Sequence, residues 1–160
     1  MQENTQTFEA IQQLLNSNNI QFKLLIHEPT KTSEESAKVR GVSLDSGAKA
    51  MLLQNKKTQL FILCVMSASK KLSWKLIRKL LDCKQLDLAN EQQVYELTKC
   101  VTGAVPPFGS LFKIQTYLDP SLITQGDQIN FNAGLRTHSV AMTIQDYIKI
   151  ENPIQLQFCE

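Results

Sequence analysis

The sequence predicts one domain of α/β or α+β class, built around a mixed or largely antiparallel sheet. Apolar runs of strand length and stretches of helical periodicity intermix along the chain, without the regular alternation of a doubly wound sheet. No repeat, low-complexity stretch or linker divides the 160 residues, a length typical of one domain. Hydrophobic residues make up 42% and charged residues 20%, enough apolar material for one continuous core.

The elements follow in order. Phe8, Ile11, Leu14 and Leu15 recur at helical spacing, and the polar run Asn16-Ser17-Asn18-Asn19 stops that helix. Ile20 to Ile26 reads as a strand, broken at His27-Glu28-Pro29 because proline disfavours helix at the residue before it. Thr32-x-x-Glu35 has the form of a capping box and opens a short helix that ends at Gly41. Lys49 to Leu53 and Gln59 to Met66 read as strands joined by the polar turn Asn55-Lys56-Lys57-Thr58. From Leu72 to Leu81 a helix is expected, with Leu72, Leu76, Ile77, Leu80 and Leu81 on one side. Asn90-x-x-Gln93 opens another, through Leu97. Gly103 to Gly109 is a proline-glycine loop. Strands are expected at Lys113 to Leu118, Gln128 to Phe131 and His138 to Met142, and Thr143-x-x-Asp146 caps a last helix.

Composition excludes several classes of function. No segment approaches the roughly 20 apolar residues that span a bilayer, and the start lacks the basic-then-apolar pattern of a secretory signal, so a cytoplasmic location is expected. Cys64, Cys83, Cys100 and Cys159 are widely spaced, which argues for reduced thiols rather than a zinc ribbon or redox dithiol. Cys64 lies in an apolar run, where a thiolate is disfavoured. Phosphate loops of the G-x-x-x-x-G-K-[ST] and G-x-G-x-x-G types are absent, as are H-E-x-x-H and G-x-S-x-G. Neither a metal nor a cofactor is expected. An enzyme built from this chain works by positioning, backbone donors and a cation.

Three segments could carry that chemistry. In Gly103-Ala104-Val105-Pro106-Pro107-Phe108-Gly109 two prolines stiffen the loop, and the amides of Gly103, Ala104 and Val105 could meet a ligand oxygen; the same loop would also serve as a plain turn. Lys49 stands among small and apolar residues, where an ammonium seeks either an anionic partner or water. Asn132-Ala133-Gly134-Leu135-Arg136-Thr137-His138-Ser139 offers an amide, a guanidinium, an imidazole and two hydroxyls; His138 could orient a hydroxyl or relay a proton, or be structural. His27 lines a pocket or ends a strand. Net charge is only +2, yet between Ser46 and Leu86 nine basic residues face one acid, Asp82. That stretch reads equally as a solvated face or as a phosphate-contacting patch.

Together, His27-x-Pro29, Gly47-Ala48-Lys49-Ala50, Gly103-x-x-x-Pro107 and Asn132-Ala133-Gly134 resemble, in order and spacing, the YbaK/prolyl-tRNA-synthetase editing-domain family. The resemblance runs from the first helix through Tyr147. It implies a mixed, barrel-like sheet surrounded by helices, with residues 1–160 one domain. It further implies a trans-editing hydrolase in which water cleaves the ester of a mischarged aminoacyl-tRNA, the partner being the acceptor end of the tRNA, with a synthetase as a second candidate partner. Lys49 matches the strand lysine that holds the aminoacyl-adenosine end. Gly103 and Pro107 match the loop whose backbone lies against the substrate carbonyl and ribose, and Ala104, Val105 and Pro106 lie between them. His138 corresponds to a histidine near the final site loop of some relatives; Asn132 and Gly134 are alternatives in the same loop, and His27 is a further substrate contact. A non-catalytic module that binds aminoacyl-tRNA or a synthetase is the alternative reading. The resemblance does not choose among alanyl, cysteinyl, prolyl, seryl and threonyl esters.

Overall fold

The computed structural model describes all 160 residues, as two sheets and six helices. Strands β1 (Lys23–Ile26), β6 (Gln128–Leu135) and β7 (His138–Thr143) form an antiparallel sheet in the order β1-β7-β6. Strands β2 (Ala48–Asn55), β3 (Phe61–Ser67), β4 (Leu86–Leu88), β5 (Gln115–Leu118) and β8 (Ile154–Gln155) form a mixed sheet in the order β4-β2-β3-β5-β8, parallel at β3-β5 and β5-β8. The two sheets do not close into the barrel-like sheet expected. They meet at a parallel bridge between Gly47 and Asn130, where the Asn130 amide donates to the Ser46 hydroxyl at 3.0 Å.

The five-stranded sheet is buried on both faces, which is why β3 reads as an uninterrupted apolar run. Side chains alternate across it. Leu52, Leu63 and Val65 face a core shared with Ile129, Phe131, Val140 and Met142 of the smaller sheet. Leu53, Cys64 and Met66 face a second cluster with Ile77 and Phe158. Helix α1 (Gln6–Ser17) brings Ile11 and Leu15 to the first core, and α6 (Ile144–Glu151) brings Ile144 and Tyr147.

Local chemistry sets most boundaries. In α2 (Ser33–Arg40) the Thr32 hydroxyl accepts from the Glu35 amide at 3.1 Å, Glu35 accepts from Lys31 rather than from the cap itself, and Gly41 closes the helix at φ 70°. In α4 (Glu91–Thr98) the box between Asn90 and Gln93 is complete.

Five expectations need correction. Strand β1 starts at Lys23, because the Ile20 amide still bonds back to Leu15. Helix α3 is Trp74–Leu80, capped by Ser73; Leu72 instead pairs antiparallel with Cys159, and Leu80 is exposed. Strand β5 starts at Gln115 because Lys113 takes a left-handed φ of 59° after a short 3₁₀ turn, Gly109–Phe112. Asn132-Ala133-Gly134, expected as part of a loop, is strand: β6 bulges between Asn132 and Leu135 and turns only at Arg136-Thr137. Strands β4 and β8 and the one-turn helix α5 (Ser121–Thr124) were not expected at all. No helix is long and apolar enough to cross a membrane.

Candidate active site

A cavity of about 830 Å³ opens between α2, the start of β2, the N-terminal end of α4 and residues 102–105. Lys49 and Gly103, 54 positions apart in sequence, both line it. Its apolar wall includes Ala48, Ala50, Leu52 and Val94.

Lys49 is on β2, paired with Met66, and the small Ala48 and Ala50 beside it leave the cavity open. Its ammonium donates to the Lys70 carbonyl at 2.7 Å. Half-burial lowers its pKa from the ordinary lysine value; Cys159 and Glu34 raise it in part, and Lys71 lowers it further. No ion pair neutralises it.

The glycine loop is built from the inside out. Gly103 sits at φ 91°, a conformation that glycine adopts without the Cβ penalty. The Ala104 amide donates to Val101 at 3.0 Å and its carbonyl accepts from Gly134 at 2.9 Å. Pro106 and Pro107 are buried, and the Pro107 carbonyl accepts from the buried Tyr147 hydroxyl at 2.5 Å. Ala104, Pro106 and Pro107 therefore hold the loop from behind and do not line the cavity. The expected free amide at Ala104 is used internally; those of Gly103 and Val105 have no protein acceptor and remain as donors.

A polar chain braces this loop. His27 Nδ1 meets the Glu28 carbonyl at 2.7 Å, and because a carbonyl only accepts, Nδ1 carries the proton. In the neutral ring Nε2 then accepts from the Ser139 hydroxyl, also at 2.7 Å. Ser139 Oγ in turn accepts from Arg40 Nε at 2.8 Å. Arg40 Nη2 donates to Asn132 Oδ1 at 2.9 Å, and Asn132 Nδ2 donates to the Gly103 carbonyl at 2.8 Å. Arg40 and Asn132 line the cavity; His27 and Gly134 stand behind it. Gly134 packs against α1, where an added Cβ would stand 2.8 Å from the Phe8 amide nitrogen. Burial pulls the Arg40 guanidinium down to about 10, so it stays cationic at neutral pH.

Arg40 escaped the sequence reading. It ends a polar helix, where an arginine looks like a solvated cation complementing the helix dipole. Its one signal in the sequence is its place directly before Gly41, the glycine that ends the helix.

His138, expected as a catalytic group, lies outside the cavity. Adjacent strand residues point to opposite faces, so with Ser139 turned toward Arg40, His138 turns to α1, its ring 4.7 Å from that of Phe8. All four cysteines are buried and free and none lines the cavity, and burial pushes the Cys64 thiol up to about 12. No cluster of three or more His, Cys, Asp or Glu side chains could hold a metal ion.

Comparison with known proteins matches residues 27–150 to the aminoacyl-tRNA editing domain family. The chain is 30% identical over 154 residues to the multifunctional Ser/Thr-tRNA deacylase ProXp-y of Escherichia coli (strain K12), covering 95% of this chain and 92% of that one. It is 26% identical over 119 residues to the prolyl-tRNA editing protein ProX of Acetoanaerobium sticklandii, covering 72% and 73%. Among solved structures, a putative trans-editing enzyme for prolyl tRNA synthetase superposes with a TM-score of 0.83 at 20% identity, covering 98% of this chain and 99% of that one. The hypothetical protein APE2540 superposes with the same TM-score at 20% identity, covering 94% and 99%.

Proposed function

The chain belongs to the aminoacyl-tRNA editing domain family, and we propose that it removes misattached amino acids from tRNA in trans, in the cavity that Lys49 and Gly103 share. It is an aminoacyl-tRNA deacylase, a hydrolase of the ester between an amino acid and the terminal ribose. The observation that carries the site assignment is that Lys49 and the glycine loop, far apart in sequence, line one space.

Water attacks the ester carbonyl, and a tetrahedral oxyanion forms. The amides of Gly103 and Val105 are fixed donors with no internal acceptor, suited to that charge because they need not reorganise as it develops. Lys49 adds a cation restrained only by a neutral carbonyl, so its charge is available to the substrate. With no serine elbow, cysteine nucleophile or metal cluster among these residues, a neighbouring ribose hydroxyl places the water, and the ribose oxygen leaves with a proton. Replacing the 2′-hydroxyl by hydrogen nearly abolishes turnover while binding persists; full activity on that substrate removes the hydroxyl from the mechanism.

The E. coli relative's name makes seryl and threonyl esters the first to test. A pocket distinguishes one methylene by only about 1–3 kcal/mol, so Ala48, Ala50 and Val94 bear on the choice. A synthetase that releases the mischarged tRNA is a candidate partner. The decisive experiment is a deacylation screen across mischarged tRNAs with Lys49→Ala as control. The expected loss is about 100-fold in kcat/KM; an unaffected variant takes Lys49 out of the site, and binding without turnover by the wild type favours a non-catalytic module.

A further inference from the structure

We propose that Arg40 is a substrate-contacting residue, which offers the free edge of its guanidinium to an anionic oxygen of the aminoacyl-adenosine end. The proposal rests on the deacylase reading above. Two of the three guanidinium nitrogens are committed: Nε to Ser139 and Nη2 to Asn132. Those bonds fix the plane of the group. The third, Nη1, has no acceptor in the protein, and no ion pair in the molecule includes Arg40. Every buried side-chain nitrogen and oxygen has a partner, so the unpartnered Nη1 is open to solvent. It lies 3.9 Å from where a Gly47 Cβ would stand, and Gly47, Arg40 and Asn132 all line the cavity.

Taking a cation out of water without a counter-charge is costly, and proteins normally place a carboxylate beside it. Here the neighbours on the committed side are a hydroxyl and an amide, which orient the guanidinium but leave its charge uncompensated. A planar fork with one edge anchored and one edge free suits recognition of an oxygen anion. The bare Gly47 keeps that edge accessible. Aminoacyl-adenosine at the end of a tRNA has two such oxygens: the one that gains charge as the ester carbonyl becomes tetrahedral, and the phosphate 5′ to the terminal ribose. The α-ammonium of the amino acid is repelled by the same charge; Glu91, a carboxylate lining the cavity, is a better neighbour for it.

The test compares wild type, Arg40→Gln and Arg40→Ala on one mischarged aminoacyl-tRNA and on the corresponding aminoacyl-adenosine, which has no phosphate. If Nη1 meets the developing oxyanion, Arg40→Gln lowers kcat about 100-fold on both substrates. If it meets the phosphate, Arg40→Gln raises KM about 10- to 100-fold on the tRNA and leaves the adenosine substrate unchanged. The first result with Tm unchanged, or the second, supports the contact, as does recovery of activity when methylguanidinium is added to Arg40→Ala. Kinetics within about 3-fold of wild type for Arg40→Gln on both substrates overturn it. So does a loss on both substrates that comes with a lowered Tm in Arg40→Gln and no recovery with methylguanidinium, since Arg40 then acts only by bracing Asn132 and Ser139. A wild type inactive on every mischarged tRNA overturns the deacylase reading itself and this contact with it.

Discussion

Lys49 sits where burial works against its charge, and the pH dependence of that conflict is open to measurement. Its folded pKa lies below the unfolded one, with loss of hydration as the main cause. The native state therefore carries an electrostatic cost at neutral pH that disappears as pH rises through the folded pKa toward about 10.5. Lys49→Met accordingly raises Tm at pH 7 while deacylation falls, and the Tm difference shrinks as pH approaches 10.5; equal differences at both pH values contradict this account. Lys49 was legible in the sequence, since an ammonium flanked by Ala48 and Ala50 needs an explanation. Arg40 was not, because only the fold carries the end of α2 over the Asn132 side chain. His138 misled for a related reason. Its face depends on the register of β6 and β7, and the bulge that settles that register leaves no mark on composition.

At the level of elements, the glycine loop and the bulge of β6 act as one unit, joined by the bonds from Gly134 to Ala104 and from Asn132 to Gly103. Gly134 is held at φ 86° and pressed against α1. Gly134→Ala combines a disfavoured backbone angle with a backbone clash and costs about 2–3 kcal/mol in urea unfolding; stability unchanged within error shows that the bulge relaxes freely. Asn90→Ala removes one half of a closed capping box and costs about 1 kcal/mol. Caps of this kind made α2, α4 and α6 readable, because side chains three residues apart satisfy amides locally. Strands of two or three residues such as β4 and β8 have no such signal and exist only because longer neighbours offer them an edge.

Across the whole molecule, charge and chain connection extend the site. Within the basic stretch, Arg78 and Lys56 are paired with Asp87, and Arg78 also lies over the Trp74 ring. Lys70 and Lys71 are in no ion pair, and the Lys70 backbone holds Lys49. Lys70→Glu/Lys71→Glu therefore raises KM for full-length aminoacyl-tRNA and flattens its salt dependence by roughly one unit of slope per lost phosphate contact, with aminoacyl-adenosine unaffected; equal effects on both substrates would place these lysines off the tRNA path. Asp119 ties the far end of the described chain to β5, accepting from the amides of Ser121, Phe158 and Cys159. Burial alone would raise its pKa, but these bonds outweigh it and hold it below 3.8. The stability it contributes is complete above the unfolded pKa and is lost as pH falls through the folded one. Asp119→Asn should cost about 2 kcal/mol at pH 7, a gap that closes in acid, as urea titrations at the two pH values would register. Residues 158–160 are in turn bonded to Lys71 and Ser73, next to the carbonyl that restrains Lys49. Breaking those two bonds, by removing the Phe158 and Glu160 backbone, therefore frees the segment that presents the Lys70 carbonyl and loosens the hold on the Lys49 ammonium.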